Sequence, residues 1–60
     1  MKLYELVEVE NQHVLCKLVE FDDGKTVIQW QGEVKSIVVH DSLDAFKSIS
    51  VNDNRELKMC

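Results

Sequence analysis

Apolar and polar residues alternate along most of this chain with the period of two that marks half-buried strands. Over Leu3–Val9 the pattern sets Leu3, Val7 and Val9 on one side and Tyr4 and Leu6 on the other. Glu10-Asn11-Gln12 breaks the run, and Val14–Phe21 resumes it. Asp22-Asp23-Gly24-Lys25 follows, then a third strand over Thr26–Gln31. Asp-Gly between two β-rich runs predicts a type I′ hairpin, because both central residues of that turn take positive φ. With Asp23-Gly24 at the tip, Phe21 would face Thr26, Val19 would face Ile28 and Lys17 would face Trp30. One face would then be strongly apolar (Val19, Phe21, Ile28, Trp30), and the other mixed (Cys16, Leu18, Glu20, Val27, Gln29).

Gly32 interrupts the third strand, and Val34–His40 predicts a fourth. Its consecutive Ile37, Val38 and Val39 suit a strand covered on both faces. Asp41–Ile49 is the one helical stretch, with Asp41 or Ser42 as N-cap and an apolar stripe of Leu43, Phe46 and Ile49. Two turns of helix do not hold alone in water, so this one must lie on the sheet. Asn52-Asp53-Asn54 reads as a turn, and Arg55–Met59 as a last strand with Leu57 and Met59 inward. The expected fold is mainly β (α+β) in the order ββββαβ: residues 1–60 as one domain, a small twisted antiparallel sheet or SH3-like partial barrel with one short helix. One helix cannot cover two partly apolar faces, so a homodimer is expected.

Composition narrows the function classes. Apolar residues make up 45% of the chain and charged residues 30%, as in a folded globule. Eleven acids outweigh seven Lys and Arg; duplex binding rests on neutralising phosphates with cations, so a nucleic-acid polymer is disfavoured as a partner. No run approaches the roughly 18 apolar residues of a membrane span, and no signal peptide is evident. A soluble cytoplasmic protein with two free thiols, Cys16 and Cys60, is the reading that follows.

The candidate chemistry is sparse. Glu20, Asp22 and Asp23 read as a solvated turn, too few oxygens for calcium. Asp41 and Asp44 suit a helix start. His13, His40 and Cys16 would bind a metal only if the fold gathered them. No nucleophile elbow and no Gly-rich phosphate loop is present. The chain therefore predicts a binding protein, neither an enzyme nor a holder of a cofactor. Trp30 is either a core residue or a platform on which a base stacks, with Tyr4 and His40 as further stackers and Lys17, Lys35 and Arg55 as phosphate contacts.

Two segments, Val19–Trp30 (VEFDDGKTVIQW) and Ser36–Asp44 (SIVVHDSLD), resemble a family of very short phage proteins with the pattern F-S-D-G-T-V-x-x-R-W … S-x-x-V-Y-D-S-x-x-D. That family includes viral sponges that sequester the cyclic dinucleotide signal, of the 3′3′-cGAMP type, of the bacterial CBASS defence. The resemblance implies a non-enzymatic, phage-encoded sponge acting in the host cytoplasm, with Trp30, Ser36, His40, Asp41 and Ser42 at the ligand. His40 stands where the pattern has an aromatic residue, Gln29 where it has Arg, and Asn52-Asp53-Asn54 where it has a His-Gly-His-like turn. Two other readings remain open: a small interaction module that inhibits a host protein, and an SH3-like nucleic-acid binder.

Overall fold

A computed structural model describes all residues, Met1–Cys60. Five strands and one helix follow in the order β1 (Lys2–Glu8), β2 (Val14–Glu20), β3 (Thr26–Trp30), β4 (Ile37–His40), α1 (Leu43–Ser50) and β5 (Arg55–Met59). All pairings are antiparallel, and the sheet order is β4-β3-β2-β1-β5. The fold is thus mainly β with one short helix, as the pattern predicted. It is an open sheet with β4 and β5 as its two edges, not a closed barrel. No helix is long and apolar enough to cross a membrane.

The β2–β3 hairpin departs from expectation by one residue, and that changes both faces. Gly24 N–H donates to Phe21 O at 2.9 Å, Phe21 N–H donates to Lys25 O at 2.8 Å, and Gly24 alone in this turn has positive φ, at 94°. This is a three-residue loop closed by a glycine bulge rather than a two-residue type I′ turn. Asp23 is spared the left-handed region, and its Oδ1 accepts from the Lys25 N–H at 3.0 Å. The register becomes Glu20↔Thr26, Val19↔Val27, Leu18↔Ile28, Lys17↔Gln29 and Cys16↔Trp30. A slip of one residue exchanges every side chain between faces. Leu18 and Cys16 therefore join Ile28 and Trp30 on one face, while Val19 and Lys17 turn to the other.

Helix α1 lies on the first of these faces. Its N-cap is Ser42, in extended conformation, whose hydroxyl accepts from the Ala45 N–H at 3.1 Å. Tyr4, Leu6, Cys16, Leu18, Ile28, Leu43 and Phe46 form the core, with Leu15, Trp30, Val51 and Leu57 packed at its margin. Leu43, Phe46 and Ser50 are the buried positions of α1, whereas Ile49 is 72% exposed. The expected stripe used a spacing of three; at 3.6 residues per turn the third buried position falls at 50, not 49. Met59, expected inward, is 65% exposed because β5 is an edge strand and α1 does not reach its end.

The opposite face carries no helix. Leu3, Val19, Val27 and Val39 form a cross-strand row on it through their pairings. Beside them run Glu5, Lys17, Gln29 and Ile37. β4 is shorter than predicted, starting at Ile37 rather than Val34, with residues 32–36 in bends and coil. It is also not covered on both sides: Ile37 is 67% and Val39 62% exposed.

Candidate functional site

The β3–β4 register, with Gln29↔Ile37 and Thr26↔His40, decides which candidates meet. The Trp30 N–H donates to Ser36 O at 3.0 Å, so the pairing continues to Trp30↔Ser36. Alternation along each strand then puts Trp30, Ser36, Val38 and His40 on the helix-covered face. Asp41 and Ser42 follow at the turn into α1. The sequence-derived candidates thus form two groups on this face, Trp30 and Ser36 at one end of the β3–β4 ladder and His40, Asp41 and Ser42 at the other, about 14 Å apart along the strands.

Phe46 lies between the two groups. It is buried in the core, tilted against Trp30 (centroids 6.4 Å apart, 50° between planes) and edge-on to His40 (5.9 Å, 68°). Such offset and T-shaped pairs are each worth about 0.5–1.5 kcal/mol beyond the area they bury. Trp30 and His40 remain half-exposed, and each packs against Phe46. Sequence reasoning placed Phe46 only in the core. The signal that marks it as the residue behind the site is its position one helical turn after Leu43, which aims it back at the sheet.

The remaining candidates lie elsewhere. Lys17 sits opposite Gln29 on the uncovered face, so it is not beside Trp30 as the type I′ register implied; the glycine bulge moved it. Arg55 begins β5, three strands from β3, a separation of about 14 Å at ordinary strand spacing. It lines an open cleft of ≈ 660 Å³ with Glu8, Glu10, Asp53 and the Asn52 and Asn54 turn. Three carboxylates against one guanidinium make that cleft unattractive to a phosphate. Tyr4 is not a stacking surface, being buried with its hydroxyl donating to Glu20 Oε1 at 3.0 Å.

The fold does not gather His13, Cys16 and His40, and no three metal-ligating side chains converge anywhere. Cys16 is fully buried, and that burial pushes its thiol up to about 11 despite a backbone hydrogen bond at Leu6 and the Arg55 charge, which pull the other way. Its thiol is inert in the native state; Cys60 is exposed. None of the concavities in the single chain is lined by Trp30, Ser36, His40, Asp41 or Ser42. In one copy the cluster is a surface, with a wall on the α1 side only.

Residues 7–57 match the family model described as Acb5 phage protein. None of the curated proteins and none of the solved structures matches the chain significantly.

Proposed function

Because this chain belongs to the Acb5 phage protein family, we propose that it is a phage anti-CBASS protein that captures a cyclic dinucleotide of the 3′3′-cGAMP type and so withholds the signal from host defence. The observation that carries this reading is the pair of half-exposed rings, Trp30 and His40, backed by one buried Phe46. Stacking on an aromatic face is worth about 1–3 kcal/mol per base and tolerates any base, so two such surfaces suit a ligand with two bases. Ser36, Asp41 and Ser42 beside them supply hydrogen-bonding groups for base edges and sugars.

His40 also favours a second reading, in which the signal is cleaved rather than held. An imidazole is the side chain best suited to move protons near neutral pH, and this one stands directly before Asp41 and Ser42 in the same cluster.

One experiment tests both. Purified protein is incubated with a panel of cyclic di- and trinucleotides, free ligand is measured after filtration, and the protein is then heated. Depletion followed by release of intact ligand is the expected result and identifies the signal. Depletion with linear products establishes cleavage instead. If nothing is depleted, the inhibitor-of-a-host-protein reading replaces both.

A further inference from the structure

We infer that two copies of this chain join through their β4 edges, and that each ligand-binding cluster is completed by His40 of the second copy. The two edges of the sheet differ in kind. β5 carries Arg55, Glu56 and Lys58 in five residues, the charges with which edge strands ward off further pairing. β4 is Ile-Val-Val-His, with no charged residue or proline, and exposes Ile37 and Val39.

The hydrogen-bond pattern of β4 limits how a second copy can add. The Trp30 N–H donates to Ser36 O, which places Trp30↔Ser36 at a hydrogen-bonding position, and such positions alternate along an antiparallel ladder. Ser36, Val38 and His40 therefore direct their backbone groups at β3. Ile37 and Val39 direct theirs at the free edge, and a strand extended by one step at either end would bring Lys35 and Asp41 into the same line. Only registers that match odd-numbered residues with odd-numbered ones satisfy both copies. A two-fold axis at Val38 pairs Ile37 with Val39 of the second copy and Lys35 with Asp41 of the second copy, each twice. Moving the axis to Ile37 sets Glu33 against Asp41, two acids; moving it to Val39 sets Ile37 against Asp41. Charge complementarity thus selects the axis at Val38. Both Lys35 and Asp41 are exposed and neither has an ion-pair partner within the chain.

This register bears on the binding cluster. It places the second copy's His40 directly opposite Ser36, at about 4.5 Å between Cα atoms in a non-hydrogen-bonded pair. Ser36 in turn is opposite Trp30. Each Trp30 then faces the second copy's imidazole across Ser36, and the missing wall of the cluster is supplied. The two-fold repeats the arrangement, which matches the near two-fold symmetry of a cyclic dinucleotide. The pairing stands on β4 alone; the composite site rests on the reading given under Proposed function.

Sedimentation equilibrium at micromolar concentration tests the pairing. The expected mass is twice the 7.0 kDa of the chain. Lys35→Glu and Asp41→Lys should each give the single-chain mass, and the double variant Lys35→Glu/Asp41→Lys should recover the dimer. Val39→Pro, which removes an N–H only from the free edge, should also be monomeric with an unchanged circular dichroism spectrum. A single-chain mass for the wild type, or a dimer indifferent to both single reversals, overturns the inference. For the composite site, Trp30→Ala and His40→Ala proteins are mixed after each has lost capture. Restored capture at about one site in four is the expected result for random exchange of copies in a symmetric dimer. No restoration in a mixture shown to be dimeric overturns the shared site. A wild type that is dimeric but captures nothing refutes the functional reading and leaves the β4 pairing standing.

Discussion

The indole of Trp30 rests on the ring of Phe46, with centroids 6.4 Å apart and planes at 50°. A buried residue on the helix thereby sets the pose of a half-exposed residue on the sheet. Phe46→Ala would remove about 3–5 kcal/mol, a large share of the stability of so small a domain, and should leave the chain unfolded at room temperature. Phe46→Leu should keep the fold while freeing both Trp30 and His40. Its expected signature is a red-shifted tryptophan emission together with weaker capture of the ligand. Emission and capture both unchanged would show that Trp30 holds its pose without Phe46.

Lys17 and Trp30 lie on opposite faces of the sheet. Lys17→Ala is therefore expected to capture ligand as the wild type does, whereas Trp30→Ala should lose about 1–3 kcal/mol of affinity, the worth of one stacked base. Isothermal titration of the two variants compares them directly. Equal losses would place the ligand on the uncovered face instead.

Cys16 and Cys60 should behave as two different thiols. In native protein at pH 8 one equivalent, Cys60, should react quickly with a thiol reagent, and the second only on unfolding. The Cys16 thiol titrates near 9.0 when unfolded and is pushed up to about 11 in the fold. Between these values the unfolded state loses its proton first. Stability is therefore expected to be fully present below pH 9 and to fall as pH rises toward 11. Urea melts across that range should show the decline, and Cys16→Ala should flatten it. An undiminished slope in that variant would assign the effect to other groups.

Ser42 has two roles that substitution can separate. Its hydroxyl caps α1 by accepting from the Ala45 N–H, and it adjoins the ligand cluster. Ser42→Ala should lose about 0.5–2 kcal/mol of stability in chemical denaturation. Ser42→Asp restores a capping acceptor and should recover most of that stability. It adds a negative charge beside Asp41, so capture of an anionic ligand should stay weak. Full recovery of capture by Ser42→Asp would mean that Ser42 acts only as the cap.

The order of the elements, the helix and a cap at Asp41 or Ser42 were legible in the residues themselves. Period-two alternation, the polar breaks at 10–12 and 22–25, Gly32 and the Asp41-Ser42 start are local signals, and local signals are what a linear pattern carries. The family resemblance singled out Trp30, Ser36, His40, Asp41 and Ser42, and the fold sets the first two and the last three on either side of Phe46. Tertiary structure decided the rest. The turn at Asp22-Asp23-Gly24 accepts either a two-residue or a three-residue loop, and Asp-Gly suits both. Burial of Cys16 and Leu18 with Tyr4, Leu6 and Ile28 selects the longer one, because the other register would turn these side chains to solvent. That choice carried Lys17 away from Trp30. The exposure of β4 was likewise invisible in its sequence: an apolar run signals contact on both faces, but whether another part of the chain or another copy provides it depends on which strand ends up at the edge.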